Sequence, residues 1–198
     1  MERKRINVLR VQETKWKGKK AKEIGQGYKL FYNGDGNRRN GVVIVLDSSL
    51  KEGVLEVSRV SDRLIAVKVS IEGLIVNIVS AYAHMPGCEE EEKVEFWRLG
   101  DYLSSVEERE ELWLGGDVNG HVGSGNIGAE EVMGRHGHGE RNDQGDQILS
   151  IAGMFGLVVV NTDFSKPEAK KVTYSSGGRK SQIDYIMTRR RSLKTLRD

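Results

Sequence analysis

The stretch LWLGGDVNGHVG, residues 112–123, sets a short apolar run against a glycine-rich polar one. Leu112, Trp113 and Leu114 have the character of a buried strand. Gly115 and Gly116 then let another backbone approach, and Asp117 and Asn119 follow two residues apart. A strand that stays extended that far sends both side chains to one face. Gly120 and Gly123 break it into a turn. A carboxylate and a carboxamide at a strand end suit a hard cation such as Mg2+, which takes few carboxylates and keeps waters for a phosphate. The same two residues are also ordinary turn formers, and that reading stays open beside the first.

Outward from this stretch, consecutive short strands alternate with tight connections. Ile6–Gln12 alternates apolar with polar and reads as a strand, with Glu13 just past its end and a basic loop, Lys15 to Lys22, beyond it. Tyr28–Tyr32 and Val42–Leu46 read as a hairpin around NGDGNRRNG. Val54–Val60, Arg63–Val69 and Leu74–Ala81 continue the series, Glu72-Gly73 serving as a turn. The period changes over Glu89–Glu107, where Val94, Phe96, Trp97, Tyr102, Leu103 and Val106 give a helix its inner face and Glu89–Glu92 suit its N-terminus. Residues 120–145 read as a long surface loop with His136 and His138 exposed. Asn142 or Asp143 caps a helix that Gly156 ends. Leu157–Val160, Val172–Tyr174 and Ile183–Thr188 complete the strands, Gly177-Gly178 is a turn, and Arg189–Arg191 is a basic tail. Strand runs with two separated helices predict an α/β (α+β) sandwich, two sheets face to face with helices outside.

Composition bounds the function. The 198 residues suffice for one domain spanning 1–198. A formal net charge of +2 gives no global field for indiscriminate nucleic-acid binding. Cys88 is the one cysteine, so no internal disulfide forms, as in a reducing intracellular compartment; nucleus and cytoplasm are equally compatible. The longest apolar run, Leu74–Ala83, is too short to span a bilayer. One cysteine with scattered histidines excludes a closed tetrahedral zinc set.

Four strand ends carry the chemistry: Gln12-Glu13-Thr14, Tyr82, Gly116-Asp117-Val118-Asn119 and Ile183-Asp184-Tyr185. In that order they resemble the endonuclease/exonuclease/phosphatase family, whose fold is DNase I-like. The likeness is greatest to the endonuclease-like domain of LINE-type retrotransposons and of craniofacial development protein 2-like proteins. VQETKWKG, ERNDQGDQIL, VVVNTDF and TYSSGGRKSQIDYIMTRRR share it, so it covers essentially the whole chain.

The resemblance implies a phosphodiesterase dependent on Mg2+ (or Mn2+) and a nucleic-acid partner, DNA first. By position, Glu13 is the metal ligand, Asp117 orients or deprotonates the attacking water, and Asn119 holds the phosphate or that water. Tyr82 donates to a phosphate oxygen, and Asp184 orients a histidine that contacts the phosphate. Lys15 and Lys17 flank Glu13 and meet substrate phosphates. Two family strands, one with an Asn before the Glu13 strand and one with a His after Asp184, have no counterpart, and His84 stands where the family shows a proline. The expectation is therefore a domain trimmed at both ends, of reduced or absent activity. The alternative is a non-catalytic scaffold of the same fold that binds protein or nucleic acid.

Overall fold

A computed structural model of the chain describes residues 1–36, 40–84 and 90–197, with backbone only over 90–97. The backbone packs as two compact units, Met1–Gly116 and Asp117–Asp198. The side chains of Glu89–Glu92, Val94, Phe96 and Trp97, together with Cys88 and the tip of the 33–41 turn, lie outside the described residues.

The first unit is a sheet-on-sheet sandwich. One sheet has the order β1-β4-β3-β2, built from β1 Val8–Val11, β2 Gly18–Ile24, β3 Tyr28–Gly34 and β4 Val42–Leu46, all antiparallel. The other holds β5 Val54–Ser61, β6 Leu64–Ile71, β7 Leu74–Tyr82 and β8 Glu111–Asp117, in that order. Alternation along β4 explains the layering: Val42, Ile44 and Leu46 join Phe31, Ile65, Val67, Val69, Ile78 and Tyr82 between the sheets. Val43 and Val45 point the other way and pack with Leu30. Every residue of β4 is thus buried, as an unbroken apolar run requires. The β6–β7 hairpin turns at Glu72 and Gly73, both at positive φ, the geometry a two-residue connection favours. Two helices accompany the strands: α1 Ser48–Lys51, capped by Asp47, and α2 Glu90–Ser105, which buries Leu99 and Leu103.

The expected basic loop is a strand. Gly18–Ile24 pairs with β3 from Gly18↔Gly34 to Ile24↔Tyr28, and Lys19, Lys20 and Lys22 are exposed along it. An edge strand with both faces wet carries no apolar alternation to betray it, and edge lysines deter further pairing.

In the second unit, α3 Asp143–Met154 is capped by Asn142, whose Oδ1 accepts from Gly145 N–H at 2.9 Å. It buries Ile148, Leu149, Ile151 and Ala152 and ends before Gly156, at φ +61°. β9 Leu157–Val159 pairs antiparallel with β12 Asp184–Arg189. α4 Glu168–Lys171 precedes a hairpin of β10 Tyr174–Ser176 and β11 Arg179–Ser181.

Two further expectations change here. The 120–145 stretch is partly core: Val122, Val132 and Met133 are buried, and Val159 N–H donates to the Val132 carbonyl at 2.8 Å. His136 is exposed, whereas His138 is half-buried with Nδ1 2.6 Å from Glu168 Oε2. The basic tail is a short helical segment, Arg190–Thr195, and Arg190 pairs with Glu131 at 2.9 Å. Apolar residues without a period, and cations whose partner is distant in sequence, leave no local signal. Among the described residues no helix is long and apolar enough to cross a membrane.

Candidate phosphodiester-cleaving site

Glu13 follows β1 in a segment held by its backbone. Thr14 N–H donates to the Gly41 carbonyl at 3.1 Å and Lys15 N–H to the Asn40 carbonyl at 2.8 Å. Asp62 anchors that partner segment, accepting from Asn40 Nδ2 at 2.6 Å and, through its carbonyl, from Gly41 N–H at 3.0 Å. The approach is possible because the facing positions are glycines. A Cβ at Gly34 would lie 2.0 Å from the Trp16 carbonyl oxygen, and one at Gly41 2.5 Å from Thr14 Oγ1. Glu13 and Lys15 take φ of 53° and 59°, a left-handed conformation that L-residues with side chains resist. The Glu13 carboxylate, half-exposed, meets Lys15 Nζ at 3.2 Å. Lys17 is exposed beyond it.

Tyr82, the last residue of β7, is buried in the intersheet core, its ring 4.9 Å from the Arg63 guanidinium carbon. Its N–H donates to the Arg63 carbonyl at 2.9 Å, and Arg63 Nη1 returns bonds to the carbonyls of Tyr82 and Ala83. His84, two residues on, is half-buried.

Asp117 and Asn119 do not continue an extended strand. β8 ends at Asp117, whose Oδ1 accepts the Asn119 N–H at 3.0 Å, and Asn119 sits at φ 48°. The carboxylate has captured the backbone two residues on, so the expected common face gives way to a turn of Asx type. Val118 N–H donates to the Ile183 carbonyl at 2.9 Å. Beyond the turn, the loop lies tight on α3: a Cβ at Gly145 would be 1.8 Å from the His121 carbonyl oxygen. His121 N–H donates to Asn142 Oδ1 at 2.9 Å, so one carboxamide caps the helix and pins the loop.

Asp184 opens β12 and is half-buried. Its N–H donates to Thr173 Oγ1 at 3.2 Å, and its carbonyl accepts from Asn161 Nδ2 at 3.4 Å. Tyr185 beside it is buried, donates to the Gln182 carbonyl at 2.8 Å and accepts from Val122 N–H at 3.4 Å. Burial pushes its pKa up to about 12, so it stays a neutral donor.

The second unit also contains a cavity of about 860 Å3 lined by His121, Tyr174, Ser176, Arg179, Lys180 and Ser181. The strand expected over Val172–Tyr174 lies at Tyr174–Ser176 and pairs across the Gly177-Gly178 turn with Arg179–Ser181, which carries no apolar alternation to mark it. The Arg-Lys pair after the two glycines is the one signal that could have drawn notice.

Among the described residues no three His, Cys, Asp or Glu side chains are grouped to hold a metal ion. Glu13 by itself offers hard oxygen donors to water, which fits a cation bound through one or two carboxylates and its own water shell, Mg2+ or Mn2+.

No family model matches the chain. It is 29% identical over 194 residues to craniofacial development protein 2 of Bos taurus, covering 96% of this chain and 32% of that protein. The chain thus spans about a third of the length of the curated relatives it matches. The endonuclease domain of TRAS1, a telomere-specific non-LTR retrotransposon, superposes with a TM-score of 0.63 at 17% identity, over 98% of this chain and 77% of that one. An AP endonuclease from Archaeoglobus fulgidus does so with a TM-score of 0.65 at 17% identity, over 98% and 80%. The fold is that of these DNase I-like endonucleases, and the resemblance read from the strand-end motifs holds.

Proposed function

We propose that the chain is a metal-dependent phosphodiesterase that cleaves the DNA backbone. The observation that carries the reading is the Glu13 segment, where two side-chain-bearing residues in left-handed conformation are pinned against glycines so that a carboxylate faces solvent. Strain of this kind collects at functional positions. The shared fold with endonucleases supports it.

A divalent cation supplies charge neutralisation on nonbridging phosphate oxygens when bound. Glu13 is the carboxylate that would hold it. Asp117 orients or deprotonates the attacking water, and the Asn119 amide on its Oδ1 fixes the plane of the carboxylate. Asn119 presents its carboxamide to the phosphate or to that water. Tyr82 donates to a phosphate oxygen and Lys15 and Lys17 meet the flanking backbone, while Asp184 is the carboxylate that would orient a histidine toward the phosphate. Within the second unit, the basic hairpin wall of Arg179 and Lys180 offers phosphate contacts of its own. One observation favours the second reading, a binding protein without turnover: Tyr82 is packed into the core beneath Arg63.

Purified chain incubated with an abasic-site duplex separates the two. Cleavage that needs Mg2+ or Mn2+, is abolished by chelator and drops roughly 100-fold or more in Asp117→Asn supports the enzyme. Asparagine keeps an Oδ1 for the Asn119 amide, so that variant retains the turn. Binding without turnover, unchanged in Asp117→Ala, supports the scaffold.

A further inference from the structure

The geometry points to Trp16 as a stacking platform for an unpaired base, which makes single-stranded or gapped nucleic acid the preferred ligand of this surface; the inference deepens the nuclease reading and rests on it for substrate class. Trp16 is 48% exposed, although a large apolar ring gains most from burial. It stands between Lys15 and Lys17 on the segment whose backbone is pinned to Asn40 and Gly41. Its ring meets Tyr32 with centroids 5.5 Å apart and planes at 85°. In an edge-to-face pair at most one face of one ring is covered, so the contact orients the indole and still leaves it a face for stacking, as its 48% exposure requires.

The surroundings select the ligand. From Trp16 the chain passes into edge strand β2, where Lys19, Lys20 and Lys22 are exposed. Lys20 and Lys22 pair with Tyr32 and Leu30 and so share the sheet face of the Tyr32 ring that Trp16 meets; at about 3.3 Å per residue they stand roughly 7 Å apart, a basic track beside an aromatic. An aromatic with a cationic track is how proteins hold single strands: the track follows phosphates, and any base offers a π-face. Bases inside a continuous duplex have no free face to give. A protein partner is the weaker occupant, since lysines are depleted at the cores of protein interfaces.

The test is fluorescence anisotropy of the full chain with a labelled short oligothymidine and with a blunt duplex, in chelator so that nothing is cut. Trp16→Ala should weaken the single strand roughly tenfold and leave the duplex within about twofold; Trp16→Phe should recover most of the loss. Equal losses on both probes, no loss on the single strand, a loss in Trp16→Phe as large as in Trp16→Ala, or no single-strand binding by the wild type each overturns it. Cation-dependent cleavage by the wild type alongside any of those results leaves the nuclease standing. The expected binding pattern without cleavage keeps the platform and removes the enzyme.

Discussion

If Glu13 holds a divalent cation as proposed, Lys15 competes with that cation for the carboxylate, and the competition has a calculable size. The Lys15 Nζ to Glu13 Oε1 distance is 3.2 Å, with the two side chains 59% and 51% exposed. An exposed pair of this kind contributes about 0–1 kcal/mol, because water screens it and two long side chains lose freedom in making it. A cation taking the Glu13 oxygens must first displace the ammonium. Replacing Lys15 with Gln removes the competitor and a repelling charge, so Mn2+ should bind about two- to fivefold more tightly. Calorimetric titration with Mn2+ at low and at moderate salt reads this directly. The gain should shrink as salt rises, since the pair it abolishes is already screened there. The same variant loses a phosphate contact, so its oligonucleotide affinity should fall and the salt slope should lessen by about one. The two effects have opposite sign, which a general loss of fold cannot produce. Weaker Mn2+ binding in Lys15→Gln, or Glu13→Gln binding Mn2+ like the wild type, would refute the assignment of Glu13 as ligand.

Three other outcomes follow from the geometry. Gly41→Ala puts a Cβ at φ +115° and 2.5 Å from Thr14 Oγ1, so it should release the Glu13 segment, cost more than about 1 kcal/mol in urea denaturation and weaken Mn2+ binding with Glu13 itself intact. Asn142→Ala removes the acceptor of both Gly145 and His121 N–H; a loss of about 2 kcal/mol, or roughly 4–8 °C in Tm by calorimetry, is expected. Burial alone would raise the Glu110 carboxyl, yet hydrogen bonds from Asn77 and Lys68 and the charge of Lys68 hold it below its ordinary value. A depressed carboxylate stabilises the fold above its unfolded pKa and ceases to as pH falls through the folded one. The urea midpoint should therefore drop below about pH 4.5, and Glu110→Gln should lower the neutral-pH midpoint while flattening that acid limb.

What could be read in advance was whatever the chain encodes locally. Val42–Leu46 is apolar at every position and is a strand with those bounds. Asn142 and Gly156 bracket α3 because a cap and a left-handed stop act on their nearest neighbours. β2 escaped notice, since Gly-Lys-Lys-Ala-Lys-Glu-Ile owes its extended form to pairing with β3. Val122, Val132 and Met133 escaped for a related reason: their burial depends on Val159 and the helix after them. At the candidate site, residue types were legible and conformations were not. Asp117 and Asn119 were expected to stay extended, but a short carboxylate beside an amide two residues on has a closer partner than any ligand.

The conformation of Glu13 was the least foreseeable and is the most informative. Six described residues other than glycine have positive φ. Glu72 and Gln26 each precede a glycine in a hairpin turn, Arg5 closes a short helical turn, and Asn119 belongs to the residue type that tolerates this region. Glu13 and Lys15 have none of these local excuses. Each such residue costs about 1–3 kcal/mol, and the two backbone hydrogen bonds of Thr14 and Lys15 return about 0.5–1.5 kcal/mol apiece. The arrangement therefore leans on the glycines at 34 and 41 and on Trp16 against Tyr32 to hold its place. An ordinary β1–β2 connection could relax all of this by giving Glu13 an extended backbone. It would then lose what the strain secures, a carboxylate and an indole presented from the same four residues, 13–16, the juxtaposition on which the proposed cation site and the proposed base platform both depend.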